Sequence, residues 1–169
     1  TDYHALLSAA NVGSVFVTTR HNLHGKFVSE ALMAGKSVFV EKPLCITPDD
    51  LMVVRSAYAA ASQGQVLMVG FNRRHAPLAQ RLKDLLRHRT SPLFMVFRVN
   101  AGFIPRNHWT QDPNIGGGRI IGEGCHFIDF FQYLAASSPV EVLASSIGGK
   151  PSRYFPDDNV SVNVRFADG

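Results

Sequence analysis

Apolar residues are spaced in two different ways along this chain, and the change comes near residue 70. Before it they gather in short continuous runs at 14–19 (Ser-Val-Phe-Val-Thr-Thr), 38–40 (Val-Phe-Val) and 66–69 (Val-Leu-Met-Val). Runs of β-branched and aromatic residues without polar alternation predict strands covered on both faces. Between the runs the spacing turns helical. Residues 3–10 predict a short helix broken by Asn11 and Gly13. Residues 24–34 carry Phe27, Val28, Ala31 and Leu32 as one stripe, with Asn22 as the candidate cap and Gly35 ending the helix in the left-handed region. Thr47 caps a third helix, Pro48 takes its first position, and Asp49 and Asp50 complement its positive end. Its predicted inner stripe is Leu51, Val54, Tyr58 and Ala61, and Gly64 stops it. Strands alternating with helices, and no hairpin turns, predict a parallel sheet with right-handed crossovers.

After residue 70 the pattern opens out. A helix over 77–89 would turn Leu78, Leu82, Leu85 and Leu86 inward, and 93–100 reads as a strand with Leu93, Met95, Phe97 and Val99 on one face. A long loop, 101–118, carries Trp109, Asp112 and three consecutive glycines; loops of that length in a compact domain are usually functional. A helix over 119–135 follows, then a strand over 140–147, a hairpin-like Gly148-Gly149 connection and a strand over 159–166. There Val160, Val162, Val164 and Phe166 alternate with Ser161, Asn163 and Arg165, the signature of antiparallel strands with one face exposed. The domain boundary is expected within 70–74.

Composition narrows the possibilities. With 46% hydrophobic and 18% charged residues the chain can bury a core. The net charge is +4, but leucines at helical spacing interrupt the densest basic run, 81–89, so a solvated helix face is expected rather than a nucleic-acid surface. Cys45 and Cys125 match no zinc or redox spacing, which fits a reducing compartment, the cytoplasm by default. No apolar run approaches the ~20 residues of a spanning helix, and no membrane role is expected. The chain opens on Thr1 within a helical pattern and closes on a turn signal, as a piece of a larger protein would.

Two stretches could carry chemistry. Glu41-Lys42-Pro43 ends the Val38 run, placing a carboxylate and an ammonium at a strand's C-terminal tip, the edge where open α/β sheets bind ligands. The plainer alternative is a surface ion pair closing a strand. In the second stretch, Gly122, His126, Asp129 and Tyr133 fall within one arc of an otherwise apolar helix. His126, with Asp129 three residues after it and Glu123 three before, reads as an acid/base unit or as a satisfied core histidine. Glycines 116–118, 122 and 124 favour the first reading, because they admit a ligand to the backbone. His21 and His24 lack a third metal ligand and read as helix-entry hydrogen bonders; no metal is expected. Trp109 is either a substrate platform or a loop anchor. The glycines of 116–122 imitate a dinucleotide fingerprint, but no strand leads into them and the last is misplaced.

Taken together, Thr18-Thr19-Arg20-His21-Asn22-Leu23-His24, Ala31-Leu32-Met33-Ala34-Gly35-Lys36-Ser37-Val38, Glu41-Lys42-Pro43 and the glycine run with His126 and Asp129 resemble the Gfo/Idh/MocA oxidoreductases, across nearly the whole chain. The resemblance implies that residues 1–72 are part of a Rossmann dinucleotide-binding domain lacking its first strands. It implies that 73–169 are part of an α/β substrate-binding and oligomerisation domain with a mostly antiparallel open sheet. By it, Thr18, Thr19 and His24 line the cleft of NAD or NADP, and Glu41 and Lys42 lie near the nicotinamide and its ribose. Lys42 and His126 form the catalytic pair acting on a sugar or polyol hydroxyl, Trp109 and Asp129 are candidate substrate-binding residues, and the exposed sheet joins a homo-oligomer. The family's aspartate four residues before the histidine is Gly122 here, so Glu123 is the candidate replacement. The competing reading is a family-like scaffold that has lost catalysis. These residues alone are expected to bind the cofactor poorly, because the glycine-rich turn that holds pyrophosphate would precede Thr1.

Overall fold

The computed structural model describes residues 2–148 and 158–169. They form two compact units, residues 1–70 with 112–117 and residues 71–111 with 118–169. None of the described helices is long and apolar enough to cross a membrane.

In the first unit, α1 (Tyr3–Ser8), β1 (Ser14–Val17), α2 (His24–Met33), β2 (Ser37–Val40), α3 (Pro48–Ala59) and β3 (Leu67–Val69) follow one another. The strands form one parallel sheet in the order β1-β2-β3, with Val15 opposite Val38 and Val40 opposite Val69. The parallel order is the predicted one, but cover on both faces is not: Val15 and Val17 of β1 are buried while Phe16 is 72% exposed, and Val66 and Met68 are exposed. The buried residues of the three helices share a single cluster, in which Val15, Val17, Val38 and Val40 meet Val28, Ala31 and Leu32 from α2. Gly35 leaves α2 with φ +76°, a conformation a side chain would resist. Thr47 Oγ1 accepts from Asp50 N at 3.1 Å, the cap expected for α3.

Two local expectations fail in this unit. Asn22 does not cap α2; a 3₁₀ turn, His21–Leu23, precedes the helix, and Leu23 stands at the cap position without a side-chain bond. Along α3 the buried residues are Val54 and Ala57, while Leu51 and Tyr58 are exposed. The two helices approach too closely for the larger side chains: a Cβ on Gly25 would lie 3.0 Å from Asp50 Cβ and 3.6 Å from Cys45 Cβ.

The second unit contains α4 (Pro77–Leu86), α5 (Cys125–Ala135) and an antiparallel pair, β4 (Pro139–Ser146) and β5 (Val160–Phe166). Residues 93–100 form no strand, against expectation. Their alternation marks a face, but strand structure needs a hydrogen-bonded neighbour, and among the described residues none lies beside them. On α4 the inward residue is Ala79, with Lys83 and Leu86 half-buried, while Leu78, Leu82 and Leu85 are exposed. Lys83 Nζ donates to the Leu134 carbonyl at 3.1 Å, near the negative end of α5, and burial followed by the charges of Arg89 and Arg87 draws its pKa down. The predicted helix over 119–135 is two structures in series, a π-helical turn at Ile120–Gly124 and then α5. Gly149, half of the expected hairpin connection, lies outside the described residues.

Candidate functional site

In the first unit, the sheet's C-terminal edge collects the residues predicted for it. β1 ends in Thr18 and Thr19, both exposed, and β2 ends in exposed Glu41, half-buried Lys42 and buried Pro43. The ladder extends to the tips, with Glu41 N donating to Val17 O at 2.9 Å and Gly70 N to Val40 O at 2.8 Å. Gly70 is a tight position: a Cβ would meet the Glu41 carboxylate at 3.1 Å, the Phe39 ring at 3.2 Å and the Val40 carbonyl at 3.3 Å, so the Glu41 side chain lies against the end of β3 and a larger residue would make its neighbours shift. His24 is fully buried, and its ring spans two carbonyls, Pro43 O at 2.7 Å from Nδ1 and Thr19 O at 3.0 Å from Nε2. His21 donates from Nδ1 to Gly116 O at 2.8 Å, and Asn22 N donates to Ile115 O at 3.1 Å, so residues 112–117 fold onto this unit. The two histidines thus make the hydrogen bonds at the helix entry that their spacing suggested.

Hydroxyls, a carboxylate and an ammonium at strand tips suit the ribose and carboxamide of a nicotinamide nucleoside. They do not suit a pyrophosphate. Neither α2 nor α3 offers one a cradle: α2 starts on buried His24 and Gly25, and the start of α3 is occupied by the Thr47 cap with Asp49 and Asp50 beside it. Anionic side chains there oppose a second anion.

In the second unit, His126 and Asp129 share the buried face of α5, with Gly122 buried in the π turn before them. Such turns re-aim the side chains that follow and recur at functional sites. Phe71 meets the His126 ring edge-on, with centroids 6.3 Å apart. Asp129 is held by Arg74 through both carboxylate oxygens, Nε reaching Oδ2 at 3.0 Å and Nη2 bonding Oδ1. Arg74 also lies over Tyr133, 5.4 Å from its centroid. Sequence reasoning missed Arg74; its signal was position, since Phe71-Asn72-Arg73-Arg74 directly follows β3, where a strand's tip hands over to the next unit.

A cavity of about 650 Å³ opens in the same unit, walled by phenylalanines 97, 127 and 131, by Val160, Val162 and Val164, and by Arg73, Arg119, Glu123 and Asp158. Arg73 stacks on Phe127 at 4.8 Å, and Arg119 Nη1 donates to Gly102 O at 2.7 Å. Glu123 is exposed and faces this cavity; His126, Asp129 and Trp109 are not among its walls. Trp109 sits half-buried in a 3₁₀ turn, Trp109–Gln111, beside His108. Among the described residues, no three His, Cys, Asp or Glu side chains gather as a metal site. Cys45 and Cys125 form no disulfide, and burial first, then the Asp50 charge, pushes the Cys45 thiol's pKa up. The candidate residues are therefore gathered in two groups, one in each unit: Thr18, Thr19, His24, Glu41 and Lys42 in the first, and Glu123, His126, Asp129 and Trp109 in the second.

Two family models match the chain. Residues 1–71 match the oxidoreductase family with an NAD-binding Rossmann fold, and residues 91–169 match the GFO/IDH/MocA C-terminal domain. The 1,5-anhydro-D-fructose reductase of Ensifer adhaerens is 30% identical over 100% of this chain and 51% of its own length. The trans-1,2-dihydrobenzene-1,2-diol dehydrogenase of Mus musculus is 30% identical over 99% of this chain and 49% of its own. The chain thus spans about half the length of these relatives. A solved levoglucosan dehydrogenase, in complex with NADH and levoglucosan, shares the fold with a TM-score of 0.79 at 24% identity, over 100% of this chain and 48% of that one.

Proposed function

This chain belongs to the Gfo/Idh/MocA oxidoreductase family, and from that premise we propose that it serves an NAD- or NADP-dependent dehydrogenase acting on a hydroxyl carbon of a sugar, a sugar derivative or a cyclitol. The observation that carries the reading is the Lys42 ammonium, set at the C-terminal tip of a central parallel strand between Glu41 and Pro43. When bound, the nicotinamide accepts or returns the hydride. The chain's own residues do the rest. Thr18, Thr19 and Glu41 bind and orient the nicotinamide nucleoside through hydroxyl and carboxylate hydrogen bonds. Lys42 stabilises the negative charge that develops on the substrate oxygen, and His126 takes the hydroxyl proton. Asp129, gripped by Arg74, is the carboxylate we assign to the substrate. Trp109 is the residue we assign to the sugar face.

Glu123 stands one position from the family aspartate that Gly122 replaces, and it carries the carboxylate role in this reading. A second reading, a scaffold retained for binding or assembly, rests on that same Gly122. The deciding experiment is turnover in the full-length protein, followed by the absorbance of the reduced nicotinamide with a panel of sugars and cyclitols. Cofactor-dependent turnover that Glu123→Gln shifts along the pH axis supports the enzyme and the substitute carboxylate. Tight dinucleotide binding with no turnover on any polyol favours the scaffold. Residues 1–169 alone should bind dinucleotide weakly, and calorimetry showing micromolar affinity would overturn that expectation. The outer face of the β4-β5 pair, with Ser161, Asn163 and Arg165 exposed, is where we place a two-fold contact with a second copy, to be checked by light scattering.

A further inference from the structure

We propose that His24 is a positioning residue that donates from both ring nitrogens and thereby sets the distance between the two strand tips assigned above to the cofactor. The proposal rests on that assignment. Nδ1 lies 2.7 Å from the Pro43 carbonyl oxygen and Nε2 3.0 Å from the Thr19 carbonyl oxygen. A carbonyl oxygen can only accept, so a nitrogen at either distance must bring a proton; a bare lone pair there would face another lone pair. No water can replace either partner, because the residue is 0% exposed.

What the ring joins gives it a role beyond filling the core. Thr19 closes the Thr18-Thr19 segment that leaves β1, and Pro43 closes the Glu41-Lys42-Pro43 segment that leaves β2. The ladder bond from Glu41 N to Val17 O lies just before this point, and His24 adds a side-chain rung beyond it. The side chain itself comes from the first turn of α2, whose Val28, Ala31 and Leu32 are packed in the core. Both tips are thus referred to one rigid helix. Thr18, Thr19 and Glu41 are exposed, so the spacing of the groups they present is a property of the backbone that His24 holds. Groups that recognise a ligand must be held to within about half an ångström by neighbours that do not touch it.

The test has two arms. In the unmodified full-length protein with ¹⁵N-labelled histidine, the His24 ring should show two protonated nitrogens; one protonated and one bare nitrogen would overturn the double donation. In the second arm, His24→Gln offers donors from a single nitrogen and can keep only one rung. It should weaken NAD(P)H binding by about 10- to 100-fold, with the far-ultraviolet circular dichroism nearly unchanged. Unchanged affinity in a folded His24→Gln protein would reduce the ring to core packing and sink the proposal. The ring measurement needs no variant, so it decides the double donation even where the substitution impairs folding. If the unmodified protein binds no dinucleotide, the function proposed above fails and the cofactor role of His24 falls with it, while the ring signal still decides the double donation.

Discussion

Val15, Val17, Val38 and Val40 in β1 and β2 are all less than one-tenth exposed, whereas Val140, Val142, Val160 and Val162 in β4 and β5 stay between 39% and 60% exposed. The residue type is the same, and so is its preference for extended backbone. What differs is cover. In the first unit a sheet of three strands packs with α2 and α3, and the valines share a closed cluster. In the second unit a two-stranded pair keeps every residue of β4 exposed and buries only Phe166 of β5. Valines stabilise by the apolar area they remove from water, so identical side chains contribute very different amounts in the two units.

The largest effects should appear at the two residues proposed as reactive, Lys42 and His126. His126→Asn should lower kcat by roughly 10²–10⁴-fold with cofactor affinity and fold retained, and Lys42→Met should lower it at least as much. Silence at His126 with loss at Lys42 would confine the chemistry to the first unit and remove the second from the mechanism.

Next come the cores. Leu32, 1% exposed, should cost about 2–5 kcal/mol on truncation to alanine, while Leu143→Ala, at a position 66% exposed, should cost no more than ~0.5 kcal/mol in urea unfolding. A large loss at Leu143 would mean that the outer face of β4 is covered in solution.

Arg74→Met strands the buried Asp129 carboxylate, and the expected cost is roughly 1–3 kcal/mol, read from the same unfolding curves. Replacing both partners by apolar residues should recover part of it, because the penalty comes from the unpaired charge.

The smallest effect is a pH dependence of the first unit. The Tyr3 phenol, which donates to Phe27 O, has its pKa pushed up from 10.0 to about 12 by burial first and by the Glu30 charge second. Its folded-state pKa is raised, so its contribution is fully present below pH 10 and is lost as pH climbs towards 12. Tm should fall across that window, and Tyr3→Phe should flatten the fall. An identical slope in the variant would assign the loss to other groups.

Much of the first unit was legible because its signals are local. The Val-Phe-Val run, the proline after Lys42, the Thr47 cap with Pro48, and Gly35 at positive φ each express a preference of a few neighbouring residues, and nothing distant has to be known. The shared face of Gly122, His126 and Asp129 could be read in the same way, from helical spacing alone. Three features could not. Residues 93–100 have the alternation of a strand, but a ladder needs a second strand, and a sequence pattern does not name one. The stripe on α4 was correctly helical yet wrongly aimed, because which side faces inward depends on where α5 lies, and Ala79 with Lys83 meets it instead of the leucines. Arg74 with Asp129, and His24 between Thr19 and Pro43, are contacts between segments 55, 5 and 19 residues apart. Sequence determined which elements form and which faces carry polar groups, because these follow from short-range propensity and period. Tertiary structure alone decided which polar groups meet, because hydrogen bonds close over a few ångströms that only the packed backbone brings about.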